Sequence, residues 1–463
     1  MRGFAVKRRM RCVYSIELPA TQAKGLRVKK TIAAAFIALV FGAAVPASAQ
    51  TVTTNGPDVT QGPPPPAQAP LTVQDWMKRP QLLGDWGGAR TRMEASGITM
   101  GAGWTQFFQW APKTSPLGDE REFLYGGKLD FRATGDFSKM DDRFKGLSAS
   151  AHVEFRYGDA PLLAGGTFLP ANAALLIPAR EGAYVDVTSL YVSKMLSDST
   201  VLQVGRFNML ENYNRPFTGG EGLDKFQNVA FVLPPLLART TPPVVEGVFI
   251  STLRNSEPFI TGGLYESTRD GFFQNGATIF GSVTLPIGIW EAPGHYSVTG
   301  TFSSIKATSL DQTIYTILPL PGVTPVLPTE ENAWTVDVRV DQYLWWDPAT
   351  KTGYGVFGMF GFSDANPSVV DIFAHVGIGG TSPIKGRNLD NFGAGYYFNG
   401  ISNTLRDTLD PFLRIRDENG FEAFYNFAVT GWSKVAANVQ FVDPFAVGSE
   451  TRAFFSIRWK LTF

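Results

Sequence analysis

The chain has 463 residues, and its 48 Gly, 36 Phe, 14 Tyr and 10 Trp stand beside one Cys and three His. A single cysteine excludes a disulfide scaffold and a cysteine-rich metal site, and 13% aromatic residues exclude an intrinsically disordered chain. The formal net charge is zero, but nine of the 41 basic residues and only one of the 41 acidic residues precede residue 50. The remainder is therefore acidic, which argues against a nucleic-acid-binding protein.

A secretory signal peptide is predicted over residues 1–49. Lys29 and Lys30 precede the apolar run 31–44, and the small residues 47–49 complete a cleavage site. The apolar run is too short to cross a bilayer comfortably as a helix. Cleavage removes the single cysteine, so we expect the exported chain to be held together without disulfides.

Two short segments follow the predicted leader. Residues 50–72 are polar and proline-rich, which predicts a flexible lead without a packed core. Residues 73–97 contain the one convincing helical pattern, over 76–96, and Asp85 is predicted to cap a helix over 86–94.

From residue 98 to the C terminus, the dominant hydrophobic period is two. In the run 147–157, apolar residues alternate with polar ones that include His152, Glu154 and Arg156. The runs are about 9–12 residues long, which is the length of a strand that crosses a membrane in a barrel and about twice that of a usual soluble strand. Aromatic residues cluster at the ends of the runs, as in the aromatic girdles of such barrels.

This alternation predicts sixteen strands. They cover residues 98–110, 122–135, 147–158, 183–196, 201–208, 244–253, 259–267, 277–287, 295–305, 332–346, 354–364, 371–380, 391–401, 421–432, 435–446 and 453–463. Long connections alternate with tight turns, as in an outer-membrane barrel. The predicted fold is therefore all-β: a 16-stranded antiparallel transmembrane β-barrel over residues 98–463, with the helical segment 73–97 on its periplasmic side.

The polar faces of these strands are predicted to line water, because a barrel of about sixteen strands encloses an aqueous channel. Interleaved charges of both signs offer hydrogen bonds to neutral polyhydroxylated solutes, whereas a phosphate pore would be mainly basic. An aromatic ring on this wall could stack on a sugar. The predicted channel residues are Lys128, Asp130, Arg132, Glu154, Arg156, Arg206, Asp337, Arg339, Asp341 and Trp345. For each charged residue, the alternative to a contact with the solute is an ion pair that only stiffens the barrel wall.

The longest connection, residues 208–243, has two arrangements that the sequence leaves open. It could fold into the lumen and narrow the channel, or it could lie exposed at the surface. The same alternatives hold for residues 159–182. The polar and aromatic candidates on the longest connection are Asn212, Tyr213, Asn214, Arg215, Phe217, Glu221, Asp224 and Lys225.

Several segments resemble the carbohydrate-selective porin family, OprB. They are residues 82–91 followed by 97–98, then 169–174, 188–191, 386–390, 422–426 and 440–444. The resemblance spans about residues 76–463. It implies a sixteen-stranded barrel in the outer membrane of a Gram-negative bacterium, and it implies that this barrel passes glucose and related small polar solutes. Carbohydrates, outer-membrane lipid and lipopolysaccharide are the partners expected, without nucleic acid, and a homotrimer is compatible with this assignment.

An outer-membrane barrel enzyme that hydrolyses lipid or glycan is the main alternative, followed by a non-selective porin. A hydrolase needs a nucleophile and a base held by a third group. His152, His295 and His375 lie on separate predicted strands, and neither G-x-S-x-G nor H-E-x-x-H occurs. An assembly or adhesion barrel would need a sizeable extra domain, for which only residues 50–97 remain. No catalytic residue, metal site or cofactor is therefore predicted.

Overall fold

The structure is a computed structural model that describes residues 72–113, 122–159, 164–176, 183–266, 273–274, 276–313, 324 and 326–463. The predicted signal peptide and the proline-rich segment 50–71 lie outside these residues. In the part of the chain that the structure describes, no helix is both long and apolar enough to cross a membrane.

Two short helices precede the barrel, α1 (Val73–Lys78) and α2 (Ala89–Ala95). The prediction that Asp85 caps a helix over 86–94 is wrong, because Trp86, Gly87 and Gly88 adopt positive φ angles and delay the helix. Asp85 instead accepts a hydrogen bond of 2.8 Å from the backbone N–H of Thr91.

Sixteen antiparallel strands close into one barrel, which confirms the predicted fold class. In chain order they are β1 (Ile98–Trp110), β2 (Phe123–Asp136), β3 (Leu147–Gly158), β4 (Tyr184–Ser197), β5 (Thr200–Asn208), β6 (Val244–Arg254), β7 (Glu257–Glu266), β8 (Thr278–Pro286), β9 (Gly294–Ser303), β10 (Ala333–Asp347), β11 (Thr352–Ser363), β12 (Val370–Thr381), β13 (Asn391–Ile401), β14 (Glu418–Ala428), β15 (Ser433–Asp443) and β16 (Arg452–Thr462). Each strand pairs with the next, and β1 closes the ring against β16 with Gly103 opposite Thr462.

The alternation of the sequence explains why the sheet has a dry outer face. On β6, Val248 and Ile250 point outward and are 38% and 46% exposed, whereas the alternating residues Phe249 and Ser251 are buried inside. Closure pairs the backbone groups of every strand, as a sheet surrounded by hydrocarbon requires. The strand bounds lie close to the predicted ones, and the largest difference is the end of β14, predicted at residue 432 and observed at Ala428.

The barrel has two unlike ends. The turn end carries the tight connections, the start of β1 and the end of β16, and it includes the short helical turns Phe137–Lys139 and Asp142–Phe144. The loop end carries the long connections. Its shorter elements are Ala164–Gly166, Ala173–Leu175, α3 (Met209–Asn212), Gly220–Gly222, α4 (Val229–Val232), Pro235–Leu237, α5 (Asn403–Leu409) and a two-stranded ladder of Ala307–Thr308 with Thr329–Glu330.

The helical segment is attached to the turn end. The rings of Trp76 and Trp432 lie 4.7 Å apart, and the Trp432 indole N–H donates to the carbonyl of Trp76. Arg90 donates a 3.2 Å hydrogen bond to the backbone oxygen of Phe463. The segment therefore sits where the barrel seam between β1 and β16 begins.

Candidate functional site

The long connection between β5 and β6, residues 209–243, folds into the barrel. The Phe226 ring lies 5.0 Å from that of Phe424 and 5.4 Å from that of Phe357, both on the inner wall. Phe231 stacks on Phe226 at 4.3 Å and extends the same buried apolar cluster. Of the two arrangements left open by the sequence, the structure has the inward one, and we call residues 209–243 the inner loop.

Backbone groups of the inner loop are tied to the opposite wall. The Glu422 carboxylate on β14 accepts hydrogen bonds of 2.6 and 2.9 Å from the N–H groups of Gln227 and Asn228. Arg458 on β16 donates to the carbonyls of Gly222 and Lys225 at 2.7 and 2.8 Å. Charge-assisted hydrogen bonds of this kind are among the strongest in proteins, so the inner loop is firmly held.

A buried ion network ties the inner loop to β2 and β3. The Lys128 ammonium lies 3.0 Å from Glu154, 3.2 Å from Glu221 and 3.4 Å from Asp130. Arg132 continues the network, with 2.6 Å to Glu221. Four of the predicted channel residues therefore meet in this network, in which Lys128 and Arg132 pair with Glu221 of the inner loop.

The geometry of this network also bears on metal binding. Oxygen and nitrogen atoms of Asp130, His152, Glu154 and Glu221 lie within 4.8 Å of one another, as in a site that could hold a metal ion. The Lys128 ammonium contacts three of these carboxylates and supplies the compensating positive charge. Burial alone would raise the pKa of Glu221, but Lys128 and Arg132 outweigh it and hold this pKa below its usual range. The group is therefore a salt-bridge network.

A second charged group lies where the inner loop approaches β10. Arg339 pairs with Asp337 at 2.7 Å, donates to the Tyr213 hydroxyl at 2.8 Å and lies over the Tyr213 ring. Arg215 of the loop pairs with Asp341 at 2.7 Å. This second group brings together three further predicted channel residues.

The second group surrounds a narrow opening of about 20 Å³, lined by residues that include Tyr213, Arg215, Arg339, Phe231 and His375. We call this opening the neck. Its small volume beside two larger cavities makes it the candidate constriction among the residues that the structure describes.

Below the neck, a polar cavity of about 640 Å³ shares Tyr213, Arg215 and Arg339 with it. The cavity reaches the turn end, because Glu257 and His295 at the starts of β7 and β9 line it. Hydroxyl side chains from adjacent strands cover much of its wall, and we call them the hydroxyl ladder: Ser251, Thr261, Ser282, Thr284, Ser297 and Thr299.

Above the neck, toward the loop end, a cavity of about 380 Å³ shares Pro234 with it. Its wall is mainly apolar. The neck shares lining residues with both larger cavities, and the three spaces together are the candidate path for a solute.

Two predicted channel residues lie on the outer face. Val204 points outward, and its side chain is 47% exposed. Arg206 lies two positions further along β5, opposite Glu246, and therefore shares this outer face. Phe207 takes the adjacent inward position on β5. For Trp345, one extra residue between Tyr343 and Trp345 shifts the alternation.

The shift turns the Trp345 side chain outward. It is 46% exposed and stacks on Tyr354 of β11, so it cannot stack on a sugar in the lumen. The prediction that Arg206 and Trp345 line the channel is therefore wrong in placement. Arg156 faces inward, and it donates to the backbone oxygen of Asp159 at 2.9 Å, away from the neck.

The sequence reasoning placed Arg458 on the polar face of the last strand, but it missed the hydroxyl ladder and the roles of Glu422 and Arg458 as loop anchors. The ladder carries no charge, and charged residues were the basis of the channel prediction. Its signal was nevertheless present, since Ser282 and Thr284, like Ser297 and Thr299, occupy alternate positions between apolar residues. The anchors could not be found, because their partners are backbone groups far away in the chain.

A closed barrel with an apolar outer face, narrowed by an inward loop, defines the class of outer-membrane porins. The model of the family described as "Carbohydrate-selective porin, OprB family" matches residues 120–463, and the chain belongs to this family. It is a carbohydrate porin, a multi-pass β-barrel of the Gram-negative outer membrane.

Solved structures agree with the fold. The high-pH structure of Pseudomonas putida OprB is similar with a TM-score of 0.69 at 16% identity, covering 84% of this chain and 99% of that one. The low-pH structure of Pseudomonas putida OprB has a TM-score of 0.53 at the same identity and coverage. At this level of identity the similarity concerns the fold alone. No curated protein sequence matches the chain.

Proposed function

We propose that neutral sugars of about the size of glucose diffuse along the series of cavities, through the neck and past the hydroxyl ladder. The observation that carries this proposal is the neck itself, where Arg339 and Arg215 stand beside a cavity lined with hydroxyl groups. Short periplasmic turns and longer outer loops are the rule for such barrels, so the turn end and the helical segment would face the periplasm.

The paired charges at the neck support selection of neutral polar solutes. Arg339 and Arg215 are each paired with an aspartate, so the neck offers directed N–H donors with little net charge. The ladder then offers further hydroxyl donors and acceptors. Several weak sites in succession allow a solute to enter and also to leave.

The proposal assigns different tasks to the predicted residues. Arg339 would contact sugar, with Asp337 and Asp341 positioning the two arginines. Lys128, Asp130, Arg132 and Glu154 would hold the inner loop. The path requires no covalent step, and we propose that the protein transports without catalysing a reaction. We further propose that the apolar outer face contacts lipid and lipopolysaccharide, with a homotrimer as the assembly to test by cross-linking.

The test of transport is permeation through reconstituted liposomes and single channels in planar bilayers. We expect liposomes with the protein to swell in glucose faster than empty liposomes, and glucose to reduce the single-channel current in steps. Equal swelling rates in the two liposome preparations would contradict the proposal.

A further inference from the structure

The polar cavity of about 640 Å³ has an accessible aromatic ring in its wall. Of the described phenylalanine and tyrosine residues that line it, Tyr213 and Phe249 are each only 6% exposed, whereas Phe280 on β8 is partly exposed. The neighbouring Ile279 points outward and is 60% exposed, so Phe280 faces the lumen. An aromatic ring that a solute can reach therefore does lie on the inner wall, although the predicted one, Trp345, faces outward.

The Phe280 ring is supported by a second ring. Its centroid lies 6.0 Å from that of Phe249, and the two rings meet edge to face at 72°. Phe249 lies over Gly263, where a Cβ atom would come within 2.5 Å of its ring. Gly263 is the register partner of Phe280 on β7, so the missing side chain makes room for the supporting ring. A ring packed in this way is preorganised for binding.

Phe280 also marks the inner end of the polar cavity. Toward the loop end, Thr278 is fully buried, and the register partner Thr301 donates a hydrogen bond of 2.8 Å to Thr240 of the inner loop. Toward the turn end the wall opens, and Ser282 is partly exposed and lines the cavity. A solute that enters from the turn end therefore reaches the ring where the inner loop closes the lumen.

Hydrogen-bonding groups border the ring in the same cavity. Thr261 and Ser282 are register partners and form the next row of the hydroxyl ladder toward the turn end. Arg215 and Arg339 also line the cavity, and Arg215 donates a hydrogen bond of 3.1 Å to Ser297 of the ladder. The cavity volume is typical of small-molecule sites. A flat apolar ring bordered by donors and acceptors matches a solute that is apolar on one face and polar around its edge.

A pyranose with equatorial hydroxyl groups is such a solute. Its axial C–H bonds form an apolar face, and its hydroxyl groups project from the edge of the ring. Packing this face on an aromatic ring removes apolar surface from water, while the hydroxyl groups keep their hydrogen bonds. An open-chain polyol has no fixed apolar face, and it loses more conformational freedom when it binds.

We propose that Phe280 is the sugar-stacking residue of the channel and that it makes the polar cavity a binding site for cyclic pyranoses in preference to open-chain polyols. The sugar packs one C–H face on the Phe280 ring and directs its hydroxyl groups to Thr261, Ser282 and the two arginines. This inference rests on the proposed function and deepens it, because it names the form of sugar that the site retains.

The test compares glucose with glucitol, its open-chain alcohol, as blockers of the single-channel current. Both solutes are neutral and have the same number of carbon atoms. Both are added on the turn-end side, where the polar cavity opens, so the comparison does not depend on passage through the neck. Glucose is expected to reach half-block at a concentration about fivefold lower than glucitol. Equal half-block concentrations would overturn the proposal.

Two variants test the role of the ring. Phe280→Leu keeps an apolar side chain but removes the flat ring, and it is expected to bring the two half-block concentrations within about twofold of each other by raising that of glucose. Phe280→Tyr keeps the ring and is expected to keep the difference. Phe360→Leu on β11, at an outward position that is 48% exposed, is the matched control. If the glucose-to-glucitol ratio is the same in Phe280→Leu and Phe360→Leu, Phe280 is not the stacking residue.

The readouts separate this proposal from the proposed function. Glucose permeation into liposomes reports transport, and the glucose-to-glucitol ratio reports the site. A thermal-unfolding midpoint that glucose raises more than glucitol does, in the wild type but not in Phe280→Leu, would support the site even if no sugar permeates. If glucose permeates but both solutes raise the midpoint equally, the stacking site is wrong and the proposed function stands.

Discussion

The inner wall of β2 and β3 and the inner wall of β7 to β9 are built from the same alternating pattern. The first wall contacts the inner loop, whereas the second lines an open cavity. The first wall carries long charged side chains: Lys128 and Arg132 contact the inner loop, and Glu154 pairs with Lys128. The second carries short hydroxyl side chains that line the cavity of about 640 Å³. Side-chain length and charge therefore determine which part of the lumen is closed and which is open.

The difference between the two walls also separates residues that affect the stability of the fold from residues that affect the selection of solutes. Removing one member of a buried ion network leaves the others uncompensated, which is costly. Removing a hydroxyl beside a water-filled cavity costs little, because water replaces it. We therefore expect substitutions in the ion network to affect the loop and the fold, and substitutions around the cavity to affect the solute.

The largest effect is expected from Lys128→Met, which keeps the length of the side chain but removes its charge. Asp130, Glu154 and Glu221 then lose their central cation. We expect a loss of about 3–5 kcal/mol in the free energy of unfolding, measured by urea titration in lipid vesicles. The single-channel current should also become larger and noisier as the inner loop loosens.

Lys113→Met is the matched control for this prediction. Lys113 pairs with Glu122 at 3.3 Å, and both side chains are 64% exposed. Exposed pairs contribute between zero and about 1 kcal/mol. If the two lysine variants unfolded alike, the network would not hold the loop.

The next largest effect is expected at the neck, from Arg339→Ala. The variant removes a donor that stands between Asp337 and Tyr213, so the neck should widen and bind sugar less well. We expect the half-block concentration for glucose to rise about tenfold, as loss of a charged hydrogen bond predicts. The measurement is a glucose titration of the single-channel current.

Arg206→Ala provides the control, because Arg206 lies on the outer face. It should leave both the conductance and the glucose titration unchanged. A response of Arg206→Ala as large as that of Arg339→Ala would mean that the neck is not the selective point.

Much of the fold could be predicted from the sequence because an outer-membrane strand has only two faces. Once Val336 and Val338 are assigned to lipid, Asp337 and Arg339 must face the lumen, and the structure places them there. The same rule fails wherever a residue is inserted. The extra residue before Trp345 reverses the face, and no composition signal marks it.

The site could be predicted only in part, for a different reason. The residues of the wall follow from alternation, but their partners on the inner loop depend on how that loop folds. Glu211, which lies 2.9 Å from Arg132, is an example of a residue with no periodic pattern to reveal it. The local alternation of the sequence thus predicts which residues lie on the inner wall. Contacts between residues far apart in the chain determine which of these wall residues remain accessible to a solute.

A smaller effect is expected from the charge of Lys225, an inner-loop residue that lines the cavity. Burial lowers the pKa of Lys225 to about 8, although the Asp224 carboxylate opposes the shift. Below this pH the side chain is charged, and above it the side chain is neutral, so the channel becomes more negative as the pH rises. We expect the preference for K⁺ over Cl⁻ to rise about twofold between pH 7 and pH 9.

Reversal potentials in a KCl gradient measure this change. Lys225→Met should show the higher cation preference at both pH values, with the transition near pH 8 removed. Lys113→Met should keep the transition. A transition that persists in Lys225→Met would assign it to another group.

The smallest effect is expected on the hydroxyl ladder, from Thr284→Val. Thr284 lines the cavity, and its hydroxyl group lies 3.1 Å from that of Ser297. Loss of one hydroxyl that water can replace should raise the glucose half-block concentration about twofold, with no change in unfolding. Thr252→Val on the outer face is the control.

A second substitution, Thr261→Val, should multiply the effect, because a solute that moves along a ladder meets each hydroxyl in turn. If the double variant instead bound glucose as the wild type does, the neck alone would account for selectivity, and the open wall would serve only to hold water.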